Sequence, residues 1–374
     1  MRNLECFYVY RKKSPLSAWS YQVQKAYPAV LVLMFSAALL GSCSQKTEQI
    51  LAPIGDIRPP SIVSAGPKDS GLFEICFNEE VDAVDDTFGF QPEPTVATPQ
   101  ASGSAIEVAL SPPVKPGENC TLSGEARDAA GNITRFLFSF VGFNDSPAAL
   151  RINELQCGKN TSASNLHRDY IEFVVQRTGN LGGEVVRWAS SVKSMEYRFP
   201  SADVKTGEII LLHLSPEGLP EEKDEIGQNL ALSGGIDSSN SARDFWTSAG
   251  GLADSTGIIA VYQRDGAAAY DGICYVEEDK SGTIENEAPL KLAKDLKDNA
   301  EWPFAATPKW EDGFLWKSST SRPIHRLHDG QLGPSQWFVG ESGSQSPGQL
   351  EPLEKNSTAR KSKSAATTAK KSSL

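Results

Sequence analysis

The sequence predicts an all-β chain: two β-sandwich domains in tandem between disordered termini. Three observations carry this. Apolar residues alternate over short runs, as in Leu72 to Phe77 and Ala105 to Leu110, the period of a strand with one face buried. The 31 glycines and 23 prolines punctuate those runs as turn residues, and few stretches keep a helical period. The chain of 374 residues also exceeds one ordinary domain of about 100–200 residues, so two cores are expected.

At the N-terminus, Arg11, Lys12, Lys13 and Lys25 precede an apolar run from Ala29 to Leu40, which ends in Leu40-Gly41-Ser42-Cys43. A basic region, a short apolar region and small residues before a cleavage point make a secretory signal. The run is shorter than the roughly 20 residues of a membrane span. Leu-Gly-Ser-Cys resembles the lipobox of bacterial lipoproteins. That resemblance implies a signal peptide over 1–42, cleavage before Cys43, and a diacylglycerol (palmitate-bearing) anchor on its thiol. The bilayer is then the first partner, and the location is the cell envelope, at the inner or outer membrane, facing the periplasm or the cell surface. The region ahead of the apolar run is long for such a leader. Residues 43–58 are polar with scattered Pro and Gly and read as a tether.

Residues 59–143 form the first domain. Pro59-Pro60 opens an extended segment, because a residue before proline is pushed out of helical geometry. Leu72 to Phe77 places Phe73, Ile75 and Phe77 inside and Cys76 outside. Ala105 to Leu110 buries Ile106, Val108 and Leu110; Asn119 to Ala126 is a further strand, with Cys120 and Leu122 inside. Asp128 to Asn132 is a turn cluster, and Ile133 to Phe143 closes the domain with Phe136, Phe138 and Phe140 on one face. The Pro-Pro-Ser-Ile-Val-Ser entry, Ile75 to Val81 and Asp128-Ala-Ala-Gly-Asn132 resemble the bacterial Ig-like domains of the S-layer type, with Glu80 at the family's usual proline. The resemblance implies an Ig-like sandwich acting as a spacer or adhesive module.

Residues 150–350 form the second domain. Its strands are Leu150 to Leu155, Asp169 to Val175 and the apolar run Ile209 to Leu214, followed by a hairpin of Gly257 to Gln263 and Ala269 to Val276 around Asp265-Gly266. Ile152 to Leu155, Asp169 to Phe173, Gly182 to Trp188, Phe199 to Leu212, Asp265 to Tyr275 and Arg326…Trp337…Pro347-Gly348 together resemble the lamin-tail domain in motif order. That family is about half this length; the excess reads as insertions at 215–248 and 277–321. Lys205-Thr206-Gly207 lacks the family's common proline, and Glu351 stands at its final Asn. The resemblance implies a second Ig-like sandwich burying Ile152, Leu155, Ile171, Phe173, Leu211 and Tyr275 between two sheets, with Trp188 and Trp337 as plugs. Residues 352–374, rich in Lys, Ser, Ala and Thr, read as a basic tail in which disorder is expected.

The net charge of −11 is unevenly spread: both ends are basic, so the body between them is more acidic than the whole. An acidic body repels phosphate backbones, so no nucleic acid is expected on the folded domains. Cys76, Cys120, Cys157 and Cys274 are even in number in an exported chain, which suggests disulfides. Three pairings are open; the domain split favours Cys76–Cys120 and Cys157–Cys274, against four buried free thiols.

No catalytic set stands out. His325-x-x-His328 lies beside Arg322 and Arg326 without further ligands, His167 reads as a loop residue and His213 as a strand-edge residue. Glu154 and Glu172 can lie on neighbouring strands, without an acid–base partner. Asp82, Asp85 and Asp86 lack calcium-loop spacing and read as a solvated loop. No metal or cofactor is expected. The function these features imply is a membrane-anchored envelope lipoprotein with a non-enzymatic binding or scaffolding role, its protein or cell-wall partner unidentified. The alternatives are a secreted, nuclease-like hydrolase or its accessory, with a site built by the insertions, and a surface adhesin.

Overall fold

The computed structural model describes residues 56–350, apart from 94, 163–164, 191–192 and 328–331. The signal segment, Cys43, most of the tether, His328 and the basic tail lie outside the described residues.

The first domain contains β1 (Ile62–Asp69), β2 (Leu72–Phe77), β3 (Asp82–Ala83), β4 (Gly89–Gln91), β5 (Val96–Ser102), β6 (Ala105–Ser111), β7 (Asn119–Arg127) and β8 (Ile133–Val141). One sheet runs β1-β2-β6-β5; in the other, β7 pairs with β8 on one side and with β3 and β4 on the other. The predicted phase holds. Phe73, Ile75, Phe77, Ile106, Val108, Leu110, Cys120 and Leu122 are buried, and Phe138 and Phe140 pack against them. Burying each such side chain contributes about 1.5–3 kcal/mol. The strand β5, which holds Pro99, was not expected. It lies at a sheet edge, where a residue without an N–H is tolerated.

The second domain begins with β9 (Ala149–Gln156), the short hairpin β10 (Asn160–Ser162) and β11 (Asn165–His167), β12 (Tyr170–Arg177) and β13 (Gly179–Asn180). It continues with β14 (Val185–Ala189), β15 (Ser194–Arg198), β16 (Asp203–Val204), β17 (Ile209–His213), β18 (Arg243–Trp246), β19 (Gly257–Tyr262) and β20 (Ala269–Glu277). It closes with α1 (Glu287–Asn299), β21 (Phe314–Trp316), β22 (Ile324–Arg326) and β23 (Trp337–Val339). A six-stranded sheet, β18-β17-β12-β9-β22-β23, faces a five-stranded one, β15-β14-β19-β20-β21. Ile152, Leu155, Ile171, Phe173, Tyr275, Trp188 and Trp337 fill the space between them, as predicted. Ile152 and Leu155 cannot share a face by strict alternation. The pairing of β9 with β12 slips between Glu172↔Glu154 and Phe173↔Ile152, and the extra residue, Asn153, is a bulge that returns Leu155 to the core.

Leu211 corrects the predicted core. It is buried on the opposite face of β17, in a small cluster with Tyr170, Ile209 and Ala242. The insertion after β17 folds back, adds β18 parallel to β17 and covers that outer face. The second insertion places α1 over the other sheet. Leu292, Ala293 and Leu296 face inward, and the Tyr262 hydroxyl donates to Asp295 Oδ2 at 2.7 Å. Gly272 lets the helix approach: a Cβ there would sit 2.5 Å from Leu296. Pro289 falls in the first turn, where its missing N–H costs the helix nothing.

Candidate functional site

The two glutamates singled out in the sequence do meet. Glu154 and Glu172 are cross-strand neighbours on the outer face of the six-stranded sheet, both fully buried. Each carboxylate is occupied. Glu154 accepts from the Tyr170 hydroxyl, from Ser346 Oγ at 2.6 Å and from Ser346 N at 3.3 Å, and it faces His325 Nδ1 at 3.3 Å. Glu172 accepts from Asn153 Nδ2 at 2.6 Å and from Gly348 N at 2.7 Å. The bulge residue and the Ser346-Pro347-Gly348 segment thus clasp the pair. Buried carboxylates need such donors, since an unpaired one costs several kcal/mol.

The expected disulfides are absent: Cys76, Cys120, Cys157 and Cys274 are free thiols. The strand phase explains both cases. Cys76 points away from the core on β2, whereas Cys120 points into it from β7 in the other sheet. Cys157 is in hydrogen-bond contact with Tyr275, so Cys274, the preceding residue of β20, faces the other way and meets Gly313. Burial pushes the Cys157 thiol well above its usual range, and that of Cys120 up to about 11. Beside Cys157, burial and then Asp254 push the Asp169 carboxyl up to about 6, although it accepts the Leu252 and Gly158 amides.

The described histidines each have a partner within the fold. His213 is not at an edge, because β18 pairs with β17; its ring stacks on Trp246 at 3.9 Å and its Nε2 meets Asp244 at 2.9 Å. His167 Nδ1 lies 2.5 Å from Asp237. His325 escapes Arg326 because adjacent strand residues point apart: Arg326 reaches across the core to Asp271 at 2.8 Å. Asp82, Asp85 and Asp86 are exposed. A different acidic group, Asp56, Glu79 and Asp128, converges within 4.8 Å, and Asp128 there already accepts Asn132 N at 2.8 Å and Nδ2 at 2.7 Å.

An open concavity that sequence reasoning missed is a cleft of about 610 Å³ between the domains; another, of about 650 Å³, lies on the first domain beside β4 and β5. The walls of the inter-domain cleft come from the end of β8 and the connecting segment on one side (Val141, Phe143, Asn144, Asp145) and from Arg198 and the β19–β20 turn on the other. The junction is tight. Asn144 Nδ2 donates to the carbonyls of Asn180 (2.8 Å) and Gly182 (2.9 Å), and a Cβ on Gly117 would lie 2.4 Å from Gly183 N. Arg187 binds Glu196 at 2.7 Å and also Asp265, fixing the turn; its hydrogen bond lowers the Asp265 pKa. Arg264 extends over the Phe143 ring at 5.8 Å. Next to the junction, Glu184 is fully buried; Tyr270 donates to it at 2.8 Å, yet burial pushes its carboxyl up to about 8. A mouth holding an exposed guanidinium, an aromatic ring and side-chain amides can take polar or anionic groups. The only sequence signal for it was the domain boundary itself.

Comparison with known proteins gives three results. The family model described as the TP_1001 protein second domain matches residues 148–362. An uncharacterized protein of Treponema pallidum (strain Nichols) is 31% identical over 131 residues, covering 35% of this chain and 32% of that protein, so the match spans about a third of the relative. Among solved structures, the N-terminal part of the bacterial S-layer protein SbsC is similar at a TM-score of 0.21 and 14% identity, covering 59% of this chain and 45% of that one. The matched residues contain the whole two-sheet core with its glutamate clasp, and on that match the chain belongs to the TP_1001 second-domain family.

Proposed function

We propose that this is a lipid-anchored envelope protein with a non-enzymatic binding or scaffolding role, and that the cleft between its sandwiches receives the ligand. The observation that carries this reading is where the polar chemistry sits. The paired carboxylates are spent on closing the fold, while the cleft is lined by Arg264, Arg198, Phe143, Asn144 and Gln263 together with the carboxylates of Asp145 and Asp265. Export and anchoring rest on Leu40-Gly41-Ser42-Cys43. Cys43→Ala is expected to move the folded protein from the membrane fraction to the soluble fraction. Retention of Cys43→Ala in salt-washed membranes would refute the anchor. Reproducible hydrolase activity of the purified chain, lost on deleting either insertion from a protein that still unfolds cooperatively, would refute the non-enzymatic reading.

A further inference from the structure

The strand β8 is nine residues long, lies at a sheet edge and carries no proline. Gly142 N donates to Glu118 O and Gly117 N to Gly142 O, which sets the phase: even-numbered positions turn their backbone groups toward β7. Ile133, Arg135, Leu137 and Ser139 therefore present theirs to the open edge, and among the described residues none of these groups is paired outward. The same residues point their side chains to solvent, with Leu137 71% exposed. Open edges recruit other strands unless blocked, and the edges of the facing sheet are blocked: β1 holds Pro67-Lys68 and β5 holds Pro99.

The exposed pattern of β8 names its occupant. Read outward from Leu137, it is symmetric in character: the exposed polar residues Arg135 and Ser139 flank it, and beyond them come the apolar Ile133, exposed, and Val141, half-buried at the mouth of the cleft. We propose that β8 pairs antiparallel with β8 of a second copy about a two-fold axis at Leu137, joining two sheets into one. In that register Leu137 faces the partner's Leu137, Arg135 faces the partner's Ser139, and Ile133 faces the partner's Val141. Apolar thus meets apolar, and the two Arg135 are kept apart. Arg135 stays neutralised by its own Glu125 at 2.6 Å. A slip that sets Arg135 opposite itself still pairs Ile133 with Leu137, but it brings the two guanidiniums face to face and leaves Val141 without a partner on β8. One strand pair is a small interface, so the dimer is weak and concentration-dependent.

The test uses the full chain in detergent. Sedimentation equilibrium over a concentration series is expected to show a monomer–dimer equilibrium. Leu137→Asp sets two carboxylates face to face and is expected to weaken it more than ten-fold while leaving the urea midpoint of the monomer unchanged. Leu137→Cys is expected to form a reducible inter-chain disulfide under mild oxidation, since paired residues at such a site lie about 5.5 Å apart at Cα. Val96→Cys, equally open on the blocked edge at 62% exposure, is expected not to do so. A monomer at every concentration, an undiminished dimer in Leu137→Asp, or equal cross-linking of Val96→Cys would each overturn the proposal.

Discussion

Glu184 makes the stability of the second domain depend on pH, and Glu184→Gln isolates the effect. The side chain has no exposed surface, its Oε2 accepts the Tyr270 hydroxyl, and its Oε1 has no protein partner. Burial raises its pKa from 4.5 to about 8, against the smaller lowering effects of Tyr270 and Arg177. Between those two values the folded state holds the proton more tightly than the unfolded state, so stability falls as pH rises through the window. At 1.36 kcal/mol per unit, the full cost above the folded pKa is on the order of 5 kcal/mol. Glutamine keeps the shape and the Tyr270 hydrogen bond but cannot ionise. Near pH 5 the two proteins are expected to agree within about 1 kcal/mol, and near pH 9 Glu184→Gln should be more stable by about 3–5 kcal/mol. Six of the seven tryptophans lie in the second domain, so urea titrations followed by tryptophan fluorescence read the relevant unfolding. An equal stability difference at both pH values would refute the argument.

Ser346→Ala removes a hydrogen bond to the buried Glu154 carboxylate and is expected to cost about 1.5–3 kcal/mol in the same titration; a loss under 0.5 kcal/mol would show that the clasp does not bear on stability. Gly117→Ala places a Cβ 2.4 Å from Gly183 N at a φ of +76°, so the junction must open; faster proteolysis between Phe143 and Pro147 is the expected readout. A thiol reagent applied to the native protein is expected to modify Cys76 before Cys120, Cys157 and Cys274, which react only on unfolding; peptide mass mapping that finds early labelling of Cys157 would contradict its burial.

The first domain was legible because its strands bury one face each: Phe73, Ile75 and Phe77 alternate with polar neighbours, and their phase alone places Cys76 outside. That phase also spoke against the favoured disulfide. The second domain was less legible for two physical reasons. The bulge at Asn153 breaks the alternation of β9, so the faces of Ile152 and Leu155 follow only from pairing with β12. And the partners of Glu154 and Glu172 come from Ser346 and Gly348, far along the chain, where no local pattern marks them. The cleft was invisible for a related cause: its walls come from both domains, and neither wall carries a motif.

The length that separates this chain from a minimal sandwich has a role in packing. Ile209 to His213 is buried at every position, and so is Gly257 to Tyr262. A strand with no exposed face needs a layer on each side. The facing sheet supplies one layer, and each insertion supplies the other. Residues 215–248 close over Ile209, Leu211 and His213, with buried Glu225 accepting the Asp244 amide at 3.0 Å and Arg243 donating to the Glu225 carbonyl at 2.6 Å. Residues 277–321 close over β19 and β20 with α1. Deleting either insertion therefore uncovers apolar strand surface, so lost activity in such a deletion bears on chemistry only if the remaining sandwich still unfolds cooperatively. The continuous apolar runs beneath the two insertions are what makes walls of them, whatever else their loops carry.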